Sequence, residues 1–128
     1  MPKHRDTVLL VEDDADTRDA FMAFADTKGL GVVTAANGHA ALWHLREGLR
    51  PCVILLDMQM PNMDGLAFQR VQLMDPALAG IPVVVVTGGG AAIEAKAREL
   101  GLTQFLRKPV DPIEVFDLFE SHRSTPAS

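Results

Sequence analysis

The sequence predicts an α/β domain: a doubly wound, five-stranded parallel sheet with five helices. Three observations predict it. Short apolar runs rich in β-branched residues alternate five times with segments of helix length. The run 83–86, with Ile81 before it, is apolar without alternation, as expected for an interior strand covered by helices on both faces. Helix start signals (Asp14, Asn37, Asp64, Asp111) and stop signals (Gly29, Gly48, Gly101) fall between the runs, where crossover connections need them. Right-handed crossovers over so many units lead to a doubly wound sheet, whose functional groups gather beyond the carboxyl ends of the strands.

Taken in order, strand one spans 7–12. Helix one spans 14–28, with Asp14 as N-cap, Asp16 in the positive first turn, and Phe21, Phe24 and Ala25 on one face. Strand two is 31–35. Helix two follows Asn37-Gly38, turns Ala41, Leu42 and Leu45 inward and Trp43 outward, and closes at Gly48 and Pro51. Strand three, 52–57, is entered at Cys52, a small residue expected to be buried. Asp64 caps a third helix with Leu66, Phe68, Val71 and Leu73 as its apolar set. Strand four is 82–87, and helix four, 91–100, stacks Ile93, Ala97 and Leu100 before Gly101. Strand five is 103–107. Asp111, Pro112 and Glu114 supply a cap, a first-turn proline and a capping-box acid for helix five, whose apolar residues are Ile113, Val115, Phe116, Leu118 and Phe119. Residues 1–122 are expected to form one domain, and 123–128 a disordered polar tail.

Composition narrows the function. The 128 residues are enough for one core. A net charge of −5 with scattered basic residues excludes a phosphate-tracking surface, so no direct nucleic-acid contact is expected. One cysteine excludes an intrachain disulfide framework and a thiolate zinc site, and fits a reducing cytosol. His4, His39, His44 and His122 have no ligand spacing. No apolar run reaches the ~20 residues that span a bilayer, so a cytoplasmic location without membrane contact is expected.

Strand one ends in Glu12-Asp13-Asp14, strand three in Asp57, strand four in Thr87, and strand five runs into Lys108. If strands one and three are neighbours, ~4.8 Å apart, then Glu12, Asp13 and Asp57 converge. Crowded carboxylates either stay partly protonated or surround a cation, and an oxygen-only donor set suits Mg²⁺. A carboxylate beside such a cation can act as the nucleophile in phosphoryl transfer, with Lys108 neutralising one phosphoryl oxygen and the Thr87 hydroxyl donating to another.

The segments VLLVEDD, VILLDMQMPNMDG, VVVVTG and FLRKP, in that order and spacing, resemble the four signature segments of bacterial response-regulator receiver domains and span nearly the whole chain. The resemblance implies the strand order 2-1-3-4-5. It implies Asp57 as phosphoacceptor, Asp13 as principal metal carboxylate, Glu12 as its acidic partner acting mostly through metal-bound water, and a backbone carbonyl of Gln59 on the metal. Thr87 matches the switch hydroxyl, Lys108 the motif lysine, and Phe105 the switch aromatic; the Lys108-Pro109 bond is then expected to be cis. The cofactor implied is Mg²⁺ or Mn²⁺. The partners implied are a histidine kinase or histidine phosphotransferase, and a downstream protein that the residues do not identify. The chain itself is expected as a monomer or a phosphorylation-dependent homodimer. Such a domain is no enzyme in the usual sense, since it catalyses only its own aspartyl phosphorylation and dephosphorylation.

Two departures stand out. Phe105 replaces the tyrosine common in the family, so switching is expected to rest on packing alone, and Gly88-Gly89-Gly90 after Thr87 predicts a mobile loop. Two other functions compete. A phosphohydrolase with an aspartate nucleophile would place a second acid two residues after it, where Gln59 stands. A phosphorylation-independent, receiver-like binding module has no need of the full set Glu12, Asp13, Asp57, Thr87 and Lys108. Flavin binding is disfavoured by the acidic loop after strand one.

Overall fold

Five parallel strands lie in the order β2-β1-β3-β4-β5. In chain order the elements are β1 (Thr7–Val11), α1 (Ala15–Thr27), β2 (Gly31–Ala35), α2 (Gly38–Arg46), β3 (Val53–Asp57), α3 (Gly65–Met74), β4 (Val83–Thr87), α4 (Ala91–Glu99), β5 (Phe105–Arg107) and α5 (Pro112–Arg123). This computed structural model describes residues 7–57, 65–88, 91–99, 101–102, 104–107 and 111–123. The expected cap Asp64, the stripe residue Leu100 and residues 124–128 of the expected tail lie outside the described residues, as do the side chains of Leu66 and Ile93, while Arg123, expected to open the tail, closes α5.

Period-two alternation divides the core between the two faces of the sheet. Leu9, Val11, Ile54, Leu56, Val83 and Val85 face one way, against Ala41, Leu42 and Leu45 of α2, Phe68 of α3 and Ala97 of α4. Val8, Leu10, Val53, Leu55, Val84 and Val86 face the other way, against Phe21 and Ala25 of α1 and Val115 and Phe119 of α5. Two apolar faces oblige β3 and β4 to be apolar up to their closing residues, Asp57 and Thr87, and every residue of both is buried. β4 is interior, as its composition requires, while β3 holds the middle of the sheet.

Local signals set the helix ends. Asp14 accepts a hydrogen bond from the Thr17 N–H at 2.9 Å, and Asn37 from the Ala40 N–H at 2.9 Å. Such caps contribute about 1 kcal/mol each. Gly29 and Gly101, at φ 69° and 91°, adopt the left-handed conformation that ends a helix. Asp111 accepts from the Ile113 N–H at 2.9 Å as α5 begins.

Four expectations need correction. Leu73 does not belong to the inner face of α3; it is 41% exposed, and the buried positions beside Phe68 are Gln69 and Gln72. The Gln72 amide donates to the carbonyls of Leu78 at 2.9 Å and Ile81 at 3.2 Å, tying α3 to the turn that leads into β4. Those bonds make a buried amide tolerable where periodicity alone would place an apolar residue. Ile113 is 62% exposed, so α5 packs through Val115 and Phe119, with Phe116 and Leu118 partly covered. Cys52 is half-buried rather than buried, one residue ahead of β3. β5 is shorter than expected, three residues long. Trp43 points outward, as its position on α2 predicts.

Candidate functional site

The strand order reverses between β1 and β3, so their carboxyl ends flank the crevice where open α/β sheets place ligands. β1 and β3 pair in register up to Val11 and Leu56, which makes Glu12 and Asp57 the next residues on adjacent strands. Both are 3% exposed, and Asp13 is exposed beside them. One carboxylate oxygen from each of the three lies within 4.8 Å of the others. The expected convergence of Glu12, Asp13 and Asp57 is therefore present in the fold.

Glu12 is held at three points. Its N–H donates to the Ala35 carbonyl at 2.9 Å, carrying the β1–β2 ladder one step past the strand. Its carbonyl accepts from Arg18 Nη1 at 2.8 Å, and its Oε2 accepts from the Asp14 N–H at 3.2 Å. Asp14 thus serves as helix cap and as donor to Glu12, while its own carboxylate turns to Thr17. The role of Arg18 was not foreseen from sequence. Its only signal there is a basic residue placed one turn into the helix that follows an acidic strand end.

Two ionised carboxylates held this close repel by roughly 3 kcal/mol at an effective dielectric of about 20. A hard divalent cation removes that penalty, and its preference for oxygen donors matches the three acids. Two of these acids are buried and set by the sheet, whereas Asp13 faces solvent. The residues present fit such an ion, with a side open to water and to an incoming ligand. Gln59 and Lys108, expected to complete the site, lie outside the described residues, as do the Lys108-Pro109 bond and Gly89-Gly90.

Thr87 ends β4, is 3% exposed, and sits one step beyond Val86, the register partner of Asp57. Across the next ladder Thr87 pairs with Arg107, and Val85 with Phe105. By strand alternation Thr87, Phe105 and Arg107 share the face of the sheet that α4 covers. Phe105 is half-buried against that core. Its ring does not rest on packing alone: the Arg98 guanidinium of α4 lies 4.8 Å from the ring centroid. An arginine two residues after an aromatic on β5 and an acid and an arginine one turn apart on α4 carry no sequence mark that they meet.

Among the described residues, no helix is long and apolar enough to cross a membrane. Residues 8–120 match the family described as response regulator receiver domain. Among known proteins, the chain is 38% identical over 106 residues to protein-glutamate methylesterase/protein-glutamine glutaminase 1 of Anaeromyxobacter dehalogenans, covering 80% of this chain and 29% of that one. It is 30% identical over 116 residues to the DNA-binding response regulator MtrA of Mycobacterium tuberculosis, covering 90% of this chain and 49% of that one. The chain thus spans less than half the length of either relative. A solved response regulator receiver protein from Pseudomonas putida superposes with a TM-score of 0.82 at 29% identity, over 91% of this chain and 97% of that one. Together with the strand order and the acidic crevice, these matches place the chain in the response regulator receiver domain family of two-component signalling systems, to which it belongs.

Proposed function

We propose that this domain accepts a phosphoryl group on Asp57 from a phosphohistidine presented by a histidine kinase or histidine phosphotransferase, in a reaction that needs Mg²⁺ or Mn²⁺. The observation that carries this reading is the meeting of Glu12, Asp13 and Asp57 at the carboxyl ends of adjacent strands, two of them buried. When bound, the cation offsets the charge of the three acids and supplies an open position for a phosphoryl oxygen. Asp13 and Glu12 hold it, with the Gln59 carbonyl as a further donor.

The chain's own residues do the rest. β3 fixes the backbone of Asp57 at the carboxyl edge of the sheet, and a carboxylate oxygen of Asp57 attacks the incoming phosphorus. The Oδ–P bond forms as the P–N bond of the donor breaks, and the electron pair of that bond stays on the departing imidazole nitrogen. The Thr87 hydroxyl donates to one phosphoryl oxygen, and Lys108 neutralises another. Phosphorylation adds about −1.5 to −2 charge units to the crevice. Thr87 turning toward that charge acts on the face formed by α4, β5 and α5, which then meets a downstream partner.

Incubation with acetyl phosphate and Mg²⁺, followed by intact-mass measurement, tests the reading. One added phosphoryl group is expected on the wild-type chain, none on Asp57→Asn, and none on the wild type when the cation is chelated. Retained addition on Asp57→Asn would place the acceptor elsewhere.

A further inference from the structure

Among the described residues, an ion pair and a cation–ring contact join α4 and β5. Arg107 Nη2 lies 3.2 Å from Glu94 Oε2, and the Arg98 guanidinium lies 4.8 Å from the Phe105 ring centroid. Glu94 and Arg98 are four residues apart on α4, a rise of about 6 Å. Phe105 and Arg107 are two residues apart on β5, a span of about 6.6 Å, and project from the same side of the strand. The numbering ascends along α4 as it descends along β5, as in an antiparallel pair, so the matched spacings let both contacts close at once.

The two contacts differ in kind. The Glu94 side chain is 11% exposed and that of Arg107 69%, so the acid is the buried partner and a reaching guanidinium offsets its charge. Glu94 also precedes Arg98 by one turn, the favourable order for an acid and a base on a helix. Phe105 carries no hydroxyl and offers no hydrogen bond, whereas the face of its ring attracts a cation. Arg107 is the ladder partner of Thr87 and Phe105 that of Val85, so the pair of contacts stands on the strand next to Thr87.

The geometry points to Arg98 as the positioning residue of Phe105, and to the Glu94–Arg107 and Arg98–Phe105 contacts as a two-point clasp that sets the rest position of the α4–β5 face. In this chain a cation over the ring takes the place of a phenol's hydrogen bond. Movement of Thr87 toward a phosphoryl group on Asp57 works against the clasp, and that regulatory consequence rests on the function proposed above. The positioning itself does not.

The test uses the whole chain without any phosphoryl donor, so its result is independent of whether Asp57 takes a phosphoryl group. Phenylalanine rings are labelled for NMR, the Phe105 signal is assigned with Phe105→Leu, and Arg98→Gln is compared with Arg98→Lys. A cation–π contact at a partly exposed site corresponds to a population change of about two- to fivefold. Arg98→Gln is expected to move the Phe105 ring signal and change the balance of its positions by that factor, while Arg98→Lys restores most of the wild-type signal. An unmoved Phe105 signal in Arg98→Gln overturns the proposal. Equal displacement in the Gln and Lys variants also overturns it, because lysine keeps a positive charge and a long stem, and a cation over the ring would then not be what holds Phe105.

Discussion

In buffer stripped of divalent cations, Asp57→Asn is expected to be more stable than the wild-type chain, by about 1–3 kcal/mol in urea denaturation. Glu12 and Asp57 are almost fully buried with oxygens no more than 4.8 Å apart, and replacing one carboxylate by a neutral amide of the same shape removes their repulsion. The gain stays below the full Coulomb figure because the new amide still needs hydrogen-bond partners in a buried position. Mg²⁺ should then narrow the difference. A ligand that binds only the folded state stabilises it in proportion to the logarithm of its concentration over its dissociation constant, and the wild type holds the cation more tightly than the variant. A variant less stable than wild type in chelator, with a gap insensitive to Mg²⁺, contradicts this electrostatic account of the crevice.

The second large effect concerns Asp13→Asn. Asp13 is the exposed member of the three, so its removal leaves the buried pair and the packing of the sheet as they are. Stability in chelator is therefore expected to change little. Affinity for Mg²⁺ is expected to fall by at least about tenfold, since loss of even an outer-shell partner of a metal site costs 10–100-fold and a direct carboxylate ligand contributes no less. The rate of phosphoryl uptake from acetyl phosphate at limiting Mg²⁺ should fall in step, and excess Mg²⁺ should recover part of it. Calorimetric titration gives the affinity, and intact mass against time gives the rate. Unchanged affinity would remove Asp13 from the site.

The strands were legible because apolar, β-branched runs between turn signals permit little else, and the caps Asp14 and Asn37 were legible because the capping atom belongs to the residue that carries the signal. The inner face of α3 was not. Gln69 and Gln72 carry no mark of burial in the sequence, and the Gln72 amide is accommodated where the carbonyls of Leu78 and Ile81 lie within its reach. That match depends on where a later turn falls in space. Ile113 erred in the other direction, as an apolar side chain left outside a core that Val115 and Phe119 already fill.

The acidic crevice could be read from the chain because its carboxylates lie at or just past the carboxyl ends of two strands, and strand ends are where a doubly wound sheet exposes its polar groups. The support around it could not be read in the same way. Arg18 reaching back to the Glu12 carbonyl, Glu94 meeting Arg107, and Arg98 lying over Phe105 all join residues whose partners are chosen by the packing of one element on another. In the sequence each is one more charge on a solvated surface.

The proposed function rests on Glu12, Asp13 and Asp57 acting together as a cation site. Titration of the ¹⁵N-labelled wild-type chain with Mg²⁺, followed through the amide signals of residues 11–14 and 56–60, reads out whether they do. Saturable shifts centred on those two segments are expected, lost or weakened at least about tenfold in Asp13→Asn. Signals that stay in place throughout the titration, or that move equally in both proteins, contradict it.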